Sequence, residues 1–176
     1  DIMDNEEIKK YFTRLSQIKY GWHDKKGTFH AHLKEGNFFK DFYFQTNEEI
    51  QKTFSAICWE ICELEREEFT ARNIPNQTIY VGVFLHHKLY CHTFLVYKKE
   101  DTYYWIEPSW EKMKGIYQAK TLKELLNKVY ENFDSFTHEK FSKEKIFFRI
   151  YTKPKPRIRA IPFHYHCIVR GKKIKF

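Results

Sequence analysis

Long apolar runs are missing from this chain. No stretch approaches the ~20 consecutive apolar residues that a membrane-crossing helix needs, and the N-terminal "DIMDNEEIKK" has no hydrophobic segment of the kind a secretory signal carries. The expectation is a chain with no membrane span and a cytoplasmic location. Met3 is read as the native start, with Asp1 and Ile2 standing ahead of it. Glycine and proline are also scarce, at 6 and 5 residues, which excludes fibrous and low-complexity classes. Four cysteines in 176 residues are too few for a disulfide scaffold, so reduced thiols are expected. Acidic residues are absent from 145–176, a segment with ten Lys and Arg; the rest of the chain carries 21 basic and 23 acidic groups, so the whole excess of +8 lies at this end. Such a segment suits a nucleic acid, a membrane surface, an acidic partner or simply a solvated sheet edge.

Aromatic residues are abundant: Phe and Tyr alone contribute 17 and 12, far more than a disordered chain would carry. The length suits one domain over 1–176, with a core near 50–130 and basic strands at 145–176. Helical spacing of Ile8, Tyr11, Phe12, Leu15 and Ile18 predicts an amphipathic helix over 5–18. Thr46 reads as the cap of a short helix to Phe54, and Ser55 as the cap of a longer one to about Asn73, with Glu63, Glu65, Arg66, Glu67 and Arg72 outward. Three β-rich runs, 78–86, 90–98 and 102–110, are joined by links short enough for antiparallel hairpins. A capped amphipathic helix is predicted over 121–133, and "KIFFRIYTK" and "HYHCIVR" read as two further strands. The fold class expected is α+β, with N-terminal helices packed on one side of a mainly antiparallel sheet.

The chemistry centres on "AICWEICELEREEF", residues 56–69. Cys58 and Cys62 stand four apart, on one helix face. Cys58 falls in the first turn, where free N–H groups and the helix dipole stabilise a thiolate. Downstream, His92 lies within the second β-run and Glu107 ends the third. Placing the hairpin link near residue 100 makes His92 and Glu107 nearly cross-strand partners, close enough for a carboxylate to orient the imidazole. Nucleophile, base and orienting acid then sit on three successive elements. A zinc site built from Cys58, Cys62, Cys91 and His92 is disfavoured. Adjacent strand residues point to opposite faces, and no CxxC or HExxH spacing occurs.

Cys58-Trp59 opening a helix, His92-Thr93-Phe94 on a strand, and Trp105-Ile-Glu107-Pro108 closing the next resemble the transglutaminase-like superfamily of papain-like cysteine enzymes. Glu63-Leu-Glu-Arg66 and Ser109-Trp-Glu-Lys112 are similar to segments of its small, functionally unassigned bacterial members. The resemblance covers roughly residues 50–130. It implies a papain-like α+β fold and a cysteine-dependent transglutaminase, deamidase or protease acting on the amide bonds of a protein or peptide through a thioester. It makes Cys58, His92 and Glu107 catalytic, with Glu107 where Asp is common, and Trp59 and Trp110 substrate-binding candidates. The Cys58 N–H is the first oxyanion-donor candidate, with Gln51 and Trp59 as side-chain alternatives. No cofactor and no metal are implied. The competing reading is a catalytically inactive binding module whose basic C-terminal segment contacts nucleic acid or an acidic protein.

Overall fold

The computed structural model describes residues 4–176, so the reading of Met3 as a start lies outside it. Helix α1 (Asn5–Ser16) begins at a reciprocal cap between Asp4 and Glu7 and buries Ile8, Tyr11 and Leu15. The segment that follows is irregular but built: β1 (Lys19–Tyr20), β2 (Trp22–Asp24), β3 (Phe29–His30), the short helix α2 (Phe38–Asp41) and β4 (Phe42–Tyr43). Strands β3, β2 and β4 form a small antiparallel sheet. Helix α3 (Asn47–Thr53) carries the expected Thr46 cap, reciprocated by Glu49.

Ser55 does not cap the next helix. It forms β5 (Ser55–Ala56), a two-residue strand parallel to β1, and α4 (Cys58–Ala71) begins three residues later. Glu60 closes its start: its carboxyl group accepts from the N–H of the cap residue Ile57 at 3.0 Å and from the N–H of Gln45, ahead of α3, at 2.8 Å. This places Cys58 at the first helical position.

Six antiparallel strands make the main sheet: β6 (Asn76–Leu85), β7 (Lys88–Lys99), β8 (Thr102–Glu107), β9 (Gly115–Ala119), β10 (Ile146–Tyr151) and β11 (Lys172–Ile174), in the order β11-β10-β6-β7-β8-β9. The architecture is therefore α+β, with a correction: helices cover both faces. On one, α1 and α4 bury Ile61 and Phe69 against Leu95, Tyr97 and Ile106. On the other, α5 (Leu122–Asn132) buries Leu125, Leu126 and Val129 against Phe94, Val96 and Trp105. The alternation of β7 explains this, since both of its faces are apolar and each needs a cover. The short α6 (Asp134–Thr137) follows α5.

Two further expectations are corrected. "HYHCIVR" lies largely in a helix, α7 (Ala160–Ile168), which buries Ala160, Phe163 and Cys167 at helical spacing; Pro162 is tolerated because it lies in the first turn. Glu63 and Glu65 of α4 are buried, not outward. Glu63 is paired with Arg66 at 2.9 Å, and that guanidinium also reaches Thr78 and the Tyr151 carbonyl. Among the described residues no helix is long and apolar enough to cross a membrane.

Candidate functional site

The β7–β8 register, Leu95 opposite Ile106, places Glu107 opposite Phe94, not His92. The two-residue turn Glu100–Asp101 moves the hairpin centre away from residue 100, so His92 and Glu107 are diagonal neighbours on one sheet face. Diagonal Cβ atoms stand roughly 7–8 Å apart, a gap that the longer Glu side chain spans: His92 Nε2 and Glu107 Oε1 are 2.6 Å apart, both groups buried. The remaining carboxylate positions are also filled by donors. Trp105 Nε1 reaches Oε1 at 3.3 Å, and the backbone N–H groups of Ser109 and Trp110 each reach Oε2 at 3.0 Å. An acceptor-only carboxylate satisfies every one of them.

With Nε2 committed to Glu107, Nδ1 is the ring nitrogen left for Cys58. Strand pairing between β7 and β8 stops at Leu95–Ile106, so no strand covers that side of His92. The N-terminus of α4 meets the ring there and brings the Cys58 thiol beside it. Burial opposes a charge on either group, but their mutual stabilisation prevails. The Cys58 thiol is held below its ordinary value, and the His92 imidazolium, facing Glu107 as well, is held above its own. Each shift runs towards the charged form, thiolate on one side and imidazolium on the other.

The other three thiols behave differently, and all four are free. Burial pushes Cys62 well up, and its thiol rests on Thr93 Oγ1 at 3.5 Å. Cys91 is pushed up to about 12 by burial, while burial raises Cys167. Cys91 lies near Tyr80, whose hydroxyl is 2.8 Å from His164 Nδ1. Burial lowers His164 to about 4, so this imidazole is neutral. Among the described residues no group of three or more His, Cys, Asp and Glu side chains is arranged to hold a metal ion.

A cleft of about 390 Å³ opens beside the His92 ring, between Tyr20, Ser109, Trp110, Ser135 and Phe136. Trp110 contributes an aromatic wall fixed by its Nε1–H to Ser135 Oγ at 2.8 Å, and Phe136 packs against it with centroids 4.7 Å apart. Trp59 is elsewhere. Its ring stacks on Phe163 at 4.2 Å and meets Phe38 and Phe42 edge-on, so it is a core residue outside the cleft. Gln51 lines a separate groove with Lys153, Lys155 and Arg157, remote from any oxyanion role.

The residue that sequence reasoning missed is Tyr20. Paired through β1 with β5, it brings its hydroxyl to the Cys58 N–H, which donates to it at 3.4 Å. The residue is 40% exposed overall while its hydroxyl end is tucked against Cys58, and that burial with the thiolate beside it drives the phenol well above its usual value. Nothing local in "IKYGWH" signals this role; the contact depends on a two-residue strand pairing, Lys19 with Ser55 and Tyr20 with Ala56, between segments distant in sequence. Compared with known proteins, the chain matches no family model and no curated sequence.

Proposed function

We propose that the chain is a cysteine-dependent enzyme acting on amide bonds through a thioester, of the transglutaminase, deamidase or protease type, on a papain-like variant of the α+β architecture. The carrying observation is the convergence of Cys58, His92 and Glu107: a thiol at a helix start beside an imidazole whose other side lies 2.6 Å from a buried carboxylate.

In this reading the Cys58 thiolate attacks the amide carbonyl carbon and forms the C–S bond. The oxyanion receives the Cys58 N–H, and the Tyr20 hydroxyl stands beside it as a second donor. His92 passes its proton to the departing nitrogen, the C–N bond breaks, and ammonia or an amine leaves. His92, now neutral, takes a proton from water or from an incoming amine, which attacks the thioester and restores the thiolate. Glu107 fixes the tautomer throughout and stabilises the imidazolium. A protein or peptide amide fits the open aromatic cleft, with Trp110 and Phe136 as its walls. Four free thiols, one of them needed as thiolate, fit a reducing compartment such as the cytoplasm.

A p-nitrophenyl ester tests the chemistry before the natural substrate is identified. The reading expects a burst of nitrophenolate and an acyl group mapped to Cys58, abolished in Cys58→Ala. No burst, or acylation spread over other cysteines, contradicts it.

A further inference from the structure

Four of the most exposed large apolar side chains lie together. Ile161, Tyr165 and Val169 are 65%, 53% and 60% exposed, and their spacing of four places them on one outward line along α7 and its C-terminal turn. Phe39, 56% exposed, joins them from α2: its ring lies 6.2 Å from that of His164, and Arg159 Nη2 bonds the Lys40 carbonyl at 3.2 Å. Scattered exposed apolar residues need no explanation, but a contiguous group does.

Basic residues predominate around this line. Lys40, Arg159, Arg170, Lys172 and Lys173 are all exposed, Arg170 lies over the Tyr165 ring, and no acidic residue occurs anywhere in 145–176, against Asp41 at the end of α2. The inward side of the same helix is fully used, with Ala160, Phe163 and Cys167 in the core, so the outward line is surplus to folding.

We infer that α7 and α2 form a docking surface for an anionic lipid surface, with Ile161, Tyr165, Val169 and Phe39 entering the headgroup boundary and the basic rim meeting the lipid phosphates and carboxylates. A nucleic acid would use the rim but has no place for two branched aliphatic side chains beside its phosphates. A lipid surface accommodates both parts at once: apolar residues below, Lys and Arg at headgroup level, and Tyr between them. Each cation near an anionic leaflet adds attraction that salt screens. This surface gives peripheral attachment only, and it stands independently of the chemistry proposed for Cys58.

Vesicle flotation of the full chain tests it, using phosphatidylcholine vesicles with and without phosphatidylserine. The expected result is flotation with the phosphatidylserine vesicles, none with phosphatidylcholine alone, and release at high salt. Because Ile161 and Val169 are exposed, I161S/V169S keeps the wild-type melting curve; its partitioning should fall about tenfold, the effect of losing two partly inserted aliphatic side chains. Phe39→Ser should weaken it in the same direction. Absence of flotation at low salt overturns the inference. So does undiminished binding of I161S/V169S, which reduces the attraction to bulk charge, and so does equal binding to soluble polyglutamate, which assigns the surface to an acidic polypeptide.

Discussion

Replacing Glu107 with Gln probes the arrangement at its most sensitive point. The substitution keeps size and shape but removes the charge facing a buried imidazole at 2.6 Å. A hydrogen bond between charged groups is worth about 1.5–3 kcal/mol, which at 1.36 kcal/mol per unit is a fall of roughly 1–2 units in the His92 pKa. Neither amide orientation is satisfactory. If the carbonyl faces His92, the amide NH2 is turned on the Ser109 and Trp110 N–H groups, both of which need an acceptor. If it is flipped, the NH2 confronts the imidazole. Folding stability should therefore drop by about 1–3 kcal/mol, the cost of a buried donor left unsatisfied. The assay is an NMR titration of the His92 ring in both proteins, with a denaturant melt beside it. The wild-type ring should stay protonated well above the usual histidine range, and that of Glu107→Gln should titrate lower. A His92 titration curve unmoved by the substitution would refute the argument that Glu107 holds the imidazolium.

Other consequences are equally concrete. Trp59→Ala empties the space between Phe163, Phe38 and Phe42; it should cost ~3–5 kcal/mol, and the melting temperature should fall by roughly 10 °C. An unchanged melt would return Trp59 to the cleft. Glu60 is raised by burial to about 8 against an ordinary value of 4.5, in spite of its two backbone N–H donors. Its folded form binds the proton more tightly than its unfolded form, so its contribution is present below about pH 4.5 and is lost as pH rises towards 8. Chemical melts across that window should show stability declining, with a shallower decline in Glu60→Gln; identical slopes would contradict the assignment. Tyr20→Phe removes the acceptor of the Cys58 N–H. It should cost about 1 kcal/mol of stability or less at this half-exposed site while slowing ester acylation more than tenfold; equal rates would remove Tyr20 from the oxyanion position.

Periodicity reads well where one face of an element is buried and the other is wet. Helices α1 and α5 are of this kind, while the Thr46 cap of α3 is legible from its side chain and the strands β6 to β8, buried on both faces, from their β-branched and aromatic runs with short links. It fails where burial is decided by distant partners. Glu63 and Glu65 look like solvent residues until Arg66 and the sheet are folded over them. The 164–170 window looks like a strand because the residues that define its helical face, Ala160 and Phe163, precede it. At the site, Cys58, His92 and Glu107 are legible because each sits at a recognisable point on its element. The diagonal register and the Tyr20 contact are not, since one follows from turn geometry and the other from a two-residue strand.

The central claim is that Cys58 alone among four thiols is held as a thiolate. Iodoacetamide labelling of the native protein near neutral pH, with the modified cysteines located by mass spectrometry, reads this directly. Cys58, lowered by His92, should react well ahead of Cys62, Cys91 and Cys167, all raised by burial, and should keep its lead at pH 6. Labelling of Cys58 no faster than the other three, or a rate that rises only at alkaline pH, would contradict the account.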